Sequence, residues 1–514
     1  MFAYAGLVLW IGWRASHGPK GARAFMLGER SIPAWAALCS LIATELSAAT
    51  FLGVPHAAYT GDWSYLQFLL GSIVGRLIIA TWLLGLYFKL DLVTVYGLLG
   101  VRFGPRSQRL AAWLFLIGRV LASGVRLFIA ALAFASLTGF SIELSIVLAG
   151  LVAGLYTRAG GIRAVIWTDV LQGAVFLLAA LAVLGTILGF LGPAGVGATI
   201  EAAGDKLTII RWPSSLPEGT SSELLWSRLA AGWRHFVDAY LGQAGVLPSS
   251  LVGGVFLTLA AQGTDQDLVQ RLLTTRDARG GSRALIASGF LNVPIVALFL
   301  AVGTGLWALH EPALALVEPS RFPPPADPKQ VLPSFALAHL PAGLRGLVFA
   351  GLFAAAMSSL DSAVNALATS WTVDIRGTRS SGGAAEPSPT TLRRATVVFT
   401  ILLVLAALLF VYYERLASAG GGLNLVELAL AAMSVVYGGL LGSFLVALVT
   451  PARGRDGSVC AGMLIGAAVG VALFLQPLWL TRVVITWPWW IAIAATVSFS
   501  IGALPRQSAT SASS

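Results

Sequence analysis

Apolar segments of membrane-spanning character recur thirteen times along this chain of 514 residues, the first of them short, and few folds can use such a pattern. A hydrocarbon core of about 30 Å needs about 20 apolar residues per helix. Segments of this kind cover residues 2–14, 33–60, 62–88, 109–137, 141–157 and 163–191. Further ones cover 247–263, 284–308, 343–374, 395–413, 425–450, 459–476 and 484–504. They specify an all-α polytopic membrane protein. The charges agree: Lys, Arg, Asp and Glu make up 11% of the chain, against about 25% in soluble domains. So few could not cover a water-soluble globule of this size. The first segment is short, which gives the expectation that the natural start lies upstream. It lacks the basic flank and small-residue cleavage site of a secretory signal.

The formal net charge of +10 would suit a nucleic-acid partner only if the basic residues shared one face or tail. They occupy every second short connection instead, which places them on one side of the membrane. With the N-terminus outside, Arg14, Lys20, Arg23 and Arg30 fall in the first cytoplasmic connection, and Lys89, Arg102, Arg106 and Arg109 in the next. Arg271, Arg276, Arg279 and Arg283 share a later one, as do Arg376, Arg379, Arg393 and Arg394. The positive-inside rule therefore predicts N-out, C-in, in the cytoplasmic membrane. Cys39 and Cys460 lie in separate apolar stretches and make neither a disulfide framework nor a CxxC metal site.

Setting aside the first segment and the last two leaves ten. Ten divide into two groups of five, and because five is odd the second group starts from the opposite side, as an inverted repeat requires. The expected organisation is a first helix with a basic loop (1–32), a first repeat (33–191), an extracellular insertion (192–246), a second repeat (247–450), and two final helices with a tail (451–514). The Ser/Gly/Pro-rich connection 376–392 reads as a flexible linker.

Strongly polar groups at membrane depth are costly and mark functional sites. LIATELSAATFLGVP places Thr44, Glu45, Ser47 and Thr50 in mid-segment, ahead of Gly53 and Pro55. GGIRAVIWTDVLQG places Asp169 about two turns into its helix. FAGLFAAAMSSLDSAVNAL centres Ser358, Ser359, Asp361, Ser362 and Asn365 in a long apolar run. Positions 355, 358, 359 and 362 share one helical face. Hydroxyl and carbonyl oxygens without soft ligands suit a hard cation. The complementary carbonyls would come from a broken helix, and Ala43–Thr50 is the segment best suited to break.

Four stretches carry a resemblance: FMLGERSIPAWAALCSLIATELSAATFLGVPHAAY, GGIRAVIWTDVLQG, GTDQDLVQRLL and GLVFAGLFAAAMSSLDSAVNALATSWTVDI. In order and spacing they resemble the sodium:solute symporter family, across residues of about 25 to 450. The resemblance implies a LeuT-like fold with a 5+5 inverted-repeat core, one helix before it and two after. It implies a co-transported sodium held by the carbonyls of Ala43, Leu46 and Ala355 and the hydroxyls of Ser358 and Ser359. A second sodium is implied near Asp169, with Asp361 and Ser362 facing it, although the family's residue at position 361 is a hydroxyl. Glu45 stands where proline transporters of the family carry Asp, and it reads either as a carboxylate that strengthens the sodium field or carries a proton, or as one that hydrogen-bonds the unwound backbone or pairs with an arginine. Glu45, Ala49, Thr50 and Gln67 are expected to meet the solute, with His56, Tyr59, Trp63 and Tyr65 near the outer end. Core helix 10, with Asn424 and Glu427, is expected to shape the outer gate.

Arg119 and Arg126 share a helix face and read first as structural ion-pair or snorkelling residues, and second as anchors for a solute carboxylate. SAATFLGVPHAAY resembles the monocarboxylate, multivitamin and pantothenate branch, whereas TDQxxVQR resembles the sugar branch. The expectation that follows is a sodium-coupled symporter importing a small organic solute, with a lean towards a carboxylate-bearing one and sugar next. A proton-coupled symporter of the same fold is the alternative, and a membrane sensor is a more distant one, since the chain ends eight residues past Arg506. An enzyme is not expected, because the five histidines are scattered and no HExxH or GxSxG constellation is present.

Overall fold

The computed structural model describes residues 2–17, 21–213, 236–311, 322–325, 328–377, 387–417, 425–476 and 483–504, with a few isolated positions between them. It is nearly all helical. The short α1 (Phe2–Ser16) and α2 (Ala22–Leu27) lead into α3 (Ala34–Glu45) and α4 (Ala48–Thr60). There follow α5 (Tyr65–Lys89), α6 (Gly97–Arg102), α7 (Pro105–Thr138) and α8 (Ile142–Ala203). The second half contains α9 (Leu247–Gly263), the short α10 (Gln266–Leu273), α11 (Ala278–His310), α12 (Val331–His339) and α13 (Ala342–Ser370). The chain ends with α14 (Pro389–Ala417), α15 (Leu425–Val449), α16 (Asp456–Phe474) and α17 (Trp487–Gly502). The apolar segments fall on helices, with 33–60 divided between α3 and α4 and with 141–157 and 163–191 both on α8. Among the described residues seven helices are long and apolar enough to cross a bilayer singly, and α3 with α4 makes one further, bent span.

The first core span breaks at Leu46 and Ser47, although Leu46 and the alanines that follow are good helix formers. Leu46 and Ser47 are extended (ψ 106° and 172°), and α4 leaves α3 at 60°. The Ser47 N–H donates to Thr50 Oγ1 at 3.4 Å rather than to a carbonyl in the preceding turn. The last carbonyls of α3 are therefore left without helical donors, as at any helix end.

Two turns use glycine where nothing else fits. The spans 141–157 and 163–191 run on as one element, α8, folded at Gly161, whose φ of +56° lies in the left-handed region. A Cβ there would stand 2.6 Å from the Phe25 carbonyl oxygen. A second bend comes at Gly192 (φ +65°), and the chain continues helically to Ala203. The insertion therefore begins as helix. Pro193 starts that last stretch rather than ending the helix, because proline's fixed φ suits the first helical position.

α13 runs through the middle of the bundle and is buried on all sides from Val348 to Ser370, apart from Phe349. Large apolar side chains such as Trp10, Trp82, Leu151, Leu181 and Leu409 stand exposed on the outer faces, the surface a bilayer would cover. α4 and α11 touch most closely at Gly303, where a Cβ would lie 2.2 Å from the Pro55 carbonyl oxygen. Small residues allow such approach in membrane helices. Gly303→Val is expected to force the pair apart and destabilise the protein by about 1–3 kcal/mol, read as a lower unfolding temperature in detergent. A wild-type temperature would show that the contact can relax.

Candidate functional site

The α3–α4 break faces the middle of α13. Ala43, Leu46, Ala355 and Ser358 line one narrow cavity there, together with Gln172 and Gly173 of α8. These are four of the five residues expected at the first sodium position. The fifth, Ser359, lies one residue further along α13 and donates its hydroxyl to the Ala355 carbonyl at 3.1 Å. Ala43 belongs to the helix end whose carbonyls lack helical donors, and Leu46 is extended. Ser358 donates its proton to Asp169 Oδ1 at 2.5 Å, so its lone pairs are available to the cavity. Carbonyl and hydroxyl oxygens with a carboxylate one bond behind them make a cradle for a hard monovalent cation.

Asp169, Asp361 and Ser362 are not brought to one point. Asp169 is fully buried and committed: it accepts from Ser40 at 2.5 Å and from Ser358, and pairs with Arg271 Nη2 at 3.3 Å. Asp361 turns Oδ2 to the Tyr156 hydroxyl and, at 3.5 Å, to Thr168. The Ser362 hydroxyl faces Asp267 at 3.5 Å and the Ser359 carbonyl at 3.4 Å.

Arg271 belongs to TDQDLVQR, read from sequence as part of a cytoplasmic connection. Every residue of α10 is buried. Asp265 caps it, accepting from the Asp267 N–H at 2.9 Å, and also accepts from the Tyr437 hydroxyl of α15 at 2.7 Å. Arg119 of α7 pairs with both Asp265 and Asp267. Gln266 accepts from the Val95 N–H and donates to the Val93 carbonyl, while Gln270 donates to the Met26 carbonyl and to Thr369. The motif ties α3, α7, α8, α13 and α15 together. This gives Arg119 the ion-pair role expected first. Arg126, seven residues on, pairs with no carboxylate among the described residues.

Glu45 takes the arginine-partner reading. It accepts from Arg76 Nη2 of α5 at 2.6 Å and Asn292 Nδ2 of α11 at 2.5 Å through Oε2, and from Gln262 Nε2 of α9 at 2.5 Å through Oε1. A carboxylate only accepts, so both amides must turn their NH2 groups to it. Their carbonyl oxygens, Gln262 Oε1 and Asn292 Oδ1, are thereby left buried without donors. Neither Gln262 nor Asn292 stands out in the sequence. Arg76 was visible as a charge in a span, but its partner lies 31 residues away.

Gln67 is buried and bonded to backbone. It accepts from the Arg211 N–H at 3.1 Å and donates to the Ser64 and Gly245 carbonyls. It pins residues 206–211, which cross the junction of α4 and α5. Arg211 pairs with Asp62 at 2.7 Å, and Lys206 donates to the Tyr59 and Gly61 carbonyls while lying 4.9 Å over the Trp307 ring. Partial burial lowers the Lys206 pKa from the ordinary lysine value, against the opposing pull of Glu311 and Asp62. Thr50 is used at the break, Tyr59 meets His310 edge-to-face, and Trp63 donates to Thr304 at 2.9 Å. The Ala49 backbone is in the first turn of α4. The Ala49 side chain, Asn424, the Glu427 side chain and residues 214–231 lie outside the described residues.

The family model for sodium:solute symporters matches residues 25–466. A sodium/sialic acid symporter of Proteus mirabilis is 31% identical over 76% of this chain and 72% of its own, and one of Aliivibrio fischeri is 30% identical over 73% and 68%. The chain belongs to the sodium:solute symporter family. A solved sodium-coupled sialic acid symporter, in its substrate-bound outward-open state, superposes with a TM-score of 0.80 at 24% identity, covering 98% of each chain. A nucleobase-cation-symport-1 transporter in a closed conformation reaches 0.52 at 14% identity, covering 93% of each. The fold of this symporter is thus the LeuT-like one.

Proposed function

We propose that this symporter imports an acidic sugar of the sialic acid kind together with sodium, across the plasma membrane with its N-terminus outside. The observation that carries the solute class is the likeness, over about three quarters of the chain, to two sodium/sialic acid symporters. The earlier lean to a monocarboxylate gives way to a solute with both a carboxylate and a polyol. The sugar-branch motif carries little weight in this choice, because TDQDLVQR is spent on the buried network around α10. Two features of the core fit an acidic sugar. Arg126 is a guanidinium without a carboxylate partner among the described residues, and it suits a solute carboxylate. The free oxygens of Gln262 and Asn292 suit solute hydroxyl or amide donors.

Sodium at the α3–α13 cradle joins the broken helix to α13 and stabilises the state that accepts solute. Solute must then raise sodium affinity by the factor by which sodium raises solute affinity. Each sodium ion entering at about 100 mV supplies about 2.3 kcal/mol, enough for roughly 50-fold accumulation at about 1.4 kcal/mol per decade.

The test is uptake into proteoliposomes under an inward sodium gradient, comparing N-acetylneuraminate, glucose and lactate. The expected result is sodium-dependent uptake of N-acetylneuraminate alone. Arg126→Gln should lower its apparent affinity at least about tenfold, the loss of one charge-assisted contact, without changing that for sodium. Uptake of lactate or glucose instead, or an unchanged affinity in Arg126→Gln, would overturn the solute class or the anchor respectively.

A further inference from the structure

We propose that Arg158 of α8, with Arg393 and Arg394 of α14, holds the headgroup phosphate of an anionic glycerophospholipid whose acyl chains lie along the seam between the two helices. The inference is independent of the transported solute and of the coupling ion. The helix pairing sets the geometry. A Cβ on Gly150 would collide with Val404, and one on Gly154 with Thr400. The partners fall in number as the glycines rise, so α8 and α14 are antiparallel here. Arg158, about one turn past Gly154, therefore comes level with Thr396. Arg393 is three residues beyond Thr396, about 4.5 Å along the axis. It also stands seven residues from Thr400, on the face of α14 that meets α8.

The apolar part of the site follows from the same pairing. Each contact residue is followed by an exposed one: Leu151 and Leu155 after the two glycines, Ile401 and Leu405 after Thr400 and Val404. Two exposed stripes thus run side by side along the contact, as a surface facing lipid does. Arg158 continues the first stripe, three residues past Leu155, and Arg394 continues the second, seven residues before Ile401. Both stripes therefore finish in an exposed guanidinium at the same end of the seam.

The protein does not answer this charge. In the same corner, where α2 meets the fold of α8, Asp91 pairs with both Arg23 and Arg30. Arg158, Arg393 and Arg394 pair with no carboxylate among the described residues. Arg163, two residues past Gly161, adds a buried Nε that has no acceptor. Guanidinium groups gathered without an acid repel one another, and a bound anion removes that repulsion. A phosphate suits them because a guanidinium donates to two of its oxygens at once. The N-terminus of α14 adds its dipole. A zwitterionic headgroup carries the same phosphate, but its ammonium group cancels the attraction. A free anion would meet the charge and leave the apolar stripes unused.

The experiment is native mass spectrometry of the purified protein in detergent, titrated with dioleoylphosphatidylglycerol or with dioleoylphosphatidylcholine. The expected result is one phosphatidylglycerol retained at a concentration at least about tenfold below that needed for phosphatidylcholine. Arg158→Gln combined with Arg394→Gln should remove that preference. Both side chains are exposed, so the unfolding temperature without added lipid should not fall. Arg276→Gln combined with Arg279→Gln, another exposed pair in a basic connection, should leave the preference unchanged. Equal retention of the two lipids by the wild type would overturn the site. So would an equal loss of preference in both double variants, which would mean a general pull of the basic surface. Displacement of the lipid by inorganic phosphate, but not by chloride at equal ionic strength, would make the occupant a free anion and overturn the inference.

Discussion

Alanine at Ser358 or at Ser359 is expected to weaken sodium-driven uptake sharply while the protein stays folded. Both side chains are small and sit on a helix held by packing on every side, so losing a hydroxyl opens little space. What is lost is a ligand oxygen at the α3–α13 cradle. The two should not be equal. Ser359 bonds the Ala355 carbonyl, so its removal costs one ligand and frees another. Ser358 also donates to Asp169, so its removal takes a ligand and leaves Asp169 one donor short. The sodium concentration for half-maximal uptake should rise at least about tenfold in Ser359→Ala, or about 1.4 kcal/mol, and more in Ser358→Ala. Sodium dependence like the wild type's in both variants would remove the cradle from the mechanism.

Arg271→Gln is expected to have the largest effect on the fold. One guanidinium donates from Nε to Ser40 at 2.9 Å, pairs through Nη1 with Asp267 at 2.9 Å, and reaches Asp169 through Nη2. Removing it strands Asp169 in the interior, at a cost of about 3–5 kcal/mol. The measurable outcome is a collapse of folded yield and unfolding temperature. Arg271→Lys should rescue only part, because a single ammonium cannot span three partners in a plane. Asp169→Asn in the Arg271→Gln background should recover stability, as paired deletion of a buried ion pair often does. Full stability in Arg271→Gln alone would mean that water or an ion reaches the cluster.

The sequence showed the parts of the site that a single segment specifies. The break at Leu46 and Ser47 follows from small and hydroxyl residues ahead of Gly53 and Pro55, and the polar face of α13 follows from helical spacing. The parts assembled by distant segments were hidden. Glu45 meets Gln262 and Asn292 only because three helices converge, and no local pattern marks those amides. The α10 segment looked like a loop because its charges resemble those of the neighbouring arginine-rich connection. Its burial depends on five other elements supplying partners. Gln67 was expected to meet the solute from its place on the second core helix, but the segment that crosses above it takes all its bonds.

The order in which these elements leave the ribosome also matters. α13 is the least apolar of the long helices, and it carries Asp361 and Asn365 amid its serines. An aspartate at mid-helix costs roughly 2.5–3.5 kcal/mol on insertion into lipid. The partners of α13, Tyr156, Thr168, Asp169 and Asp267, all belong to segments made earlier. Membrane proteins are synthesised N-terminal part first, so α13 enters a bundle in which its polar acceptors already wait. Biogenesis of this symporter should therefore have its bottleneck at α13, and a chain stopped just before it would be a half-built bundle with an open polar seam, the form that membrane quality control would recognise.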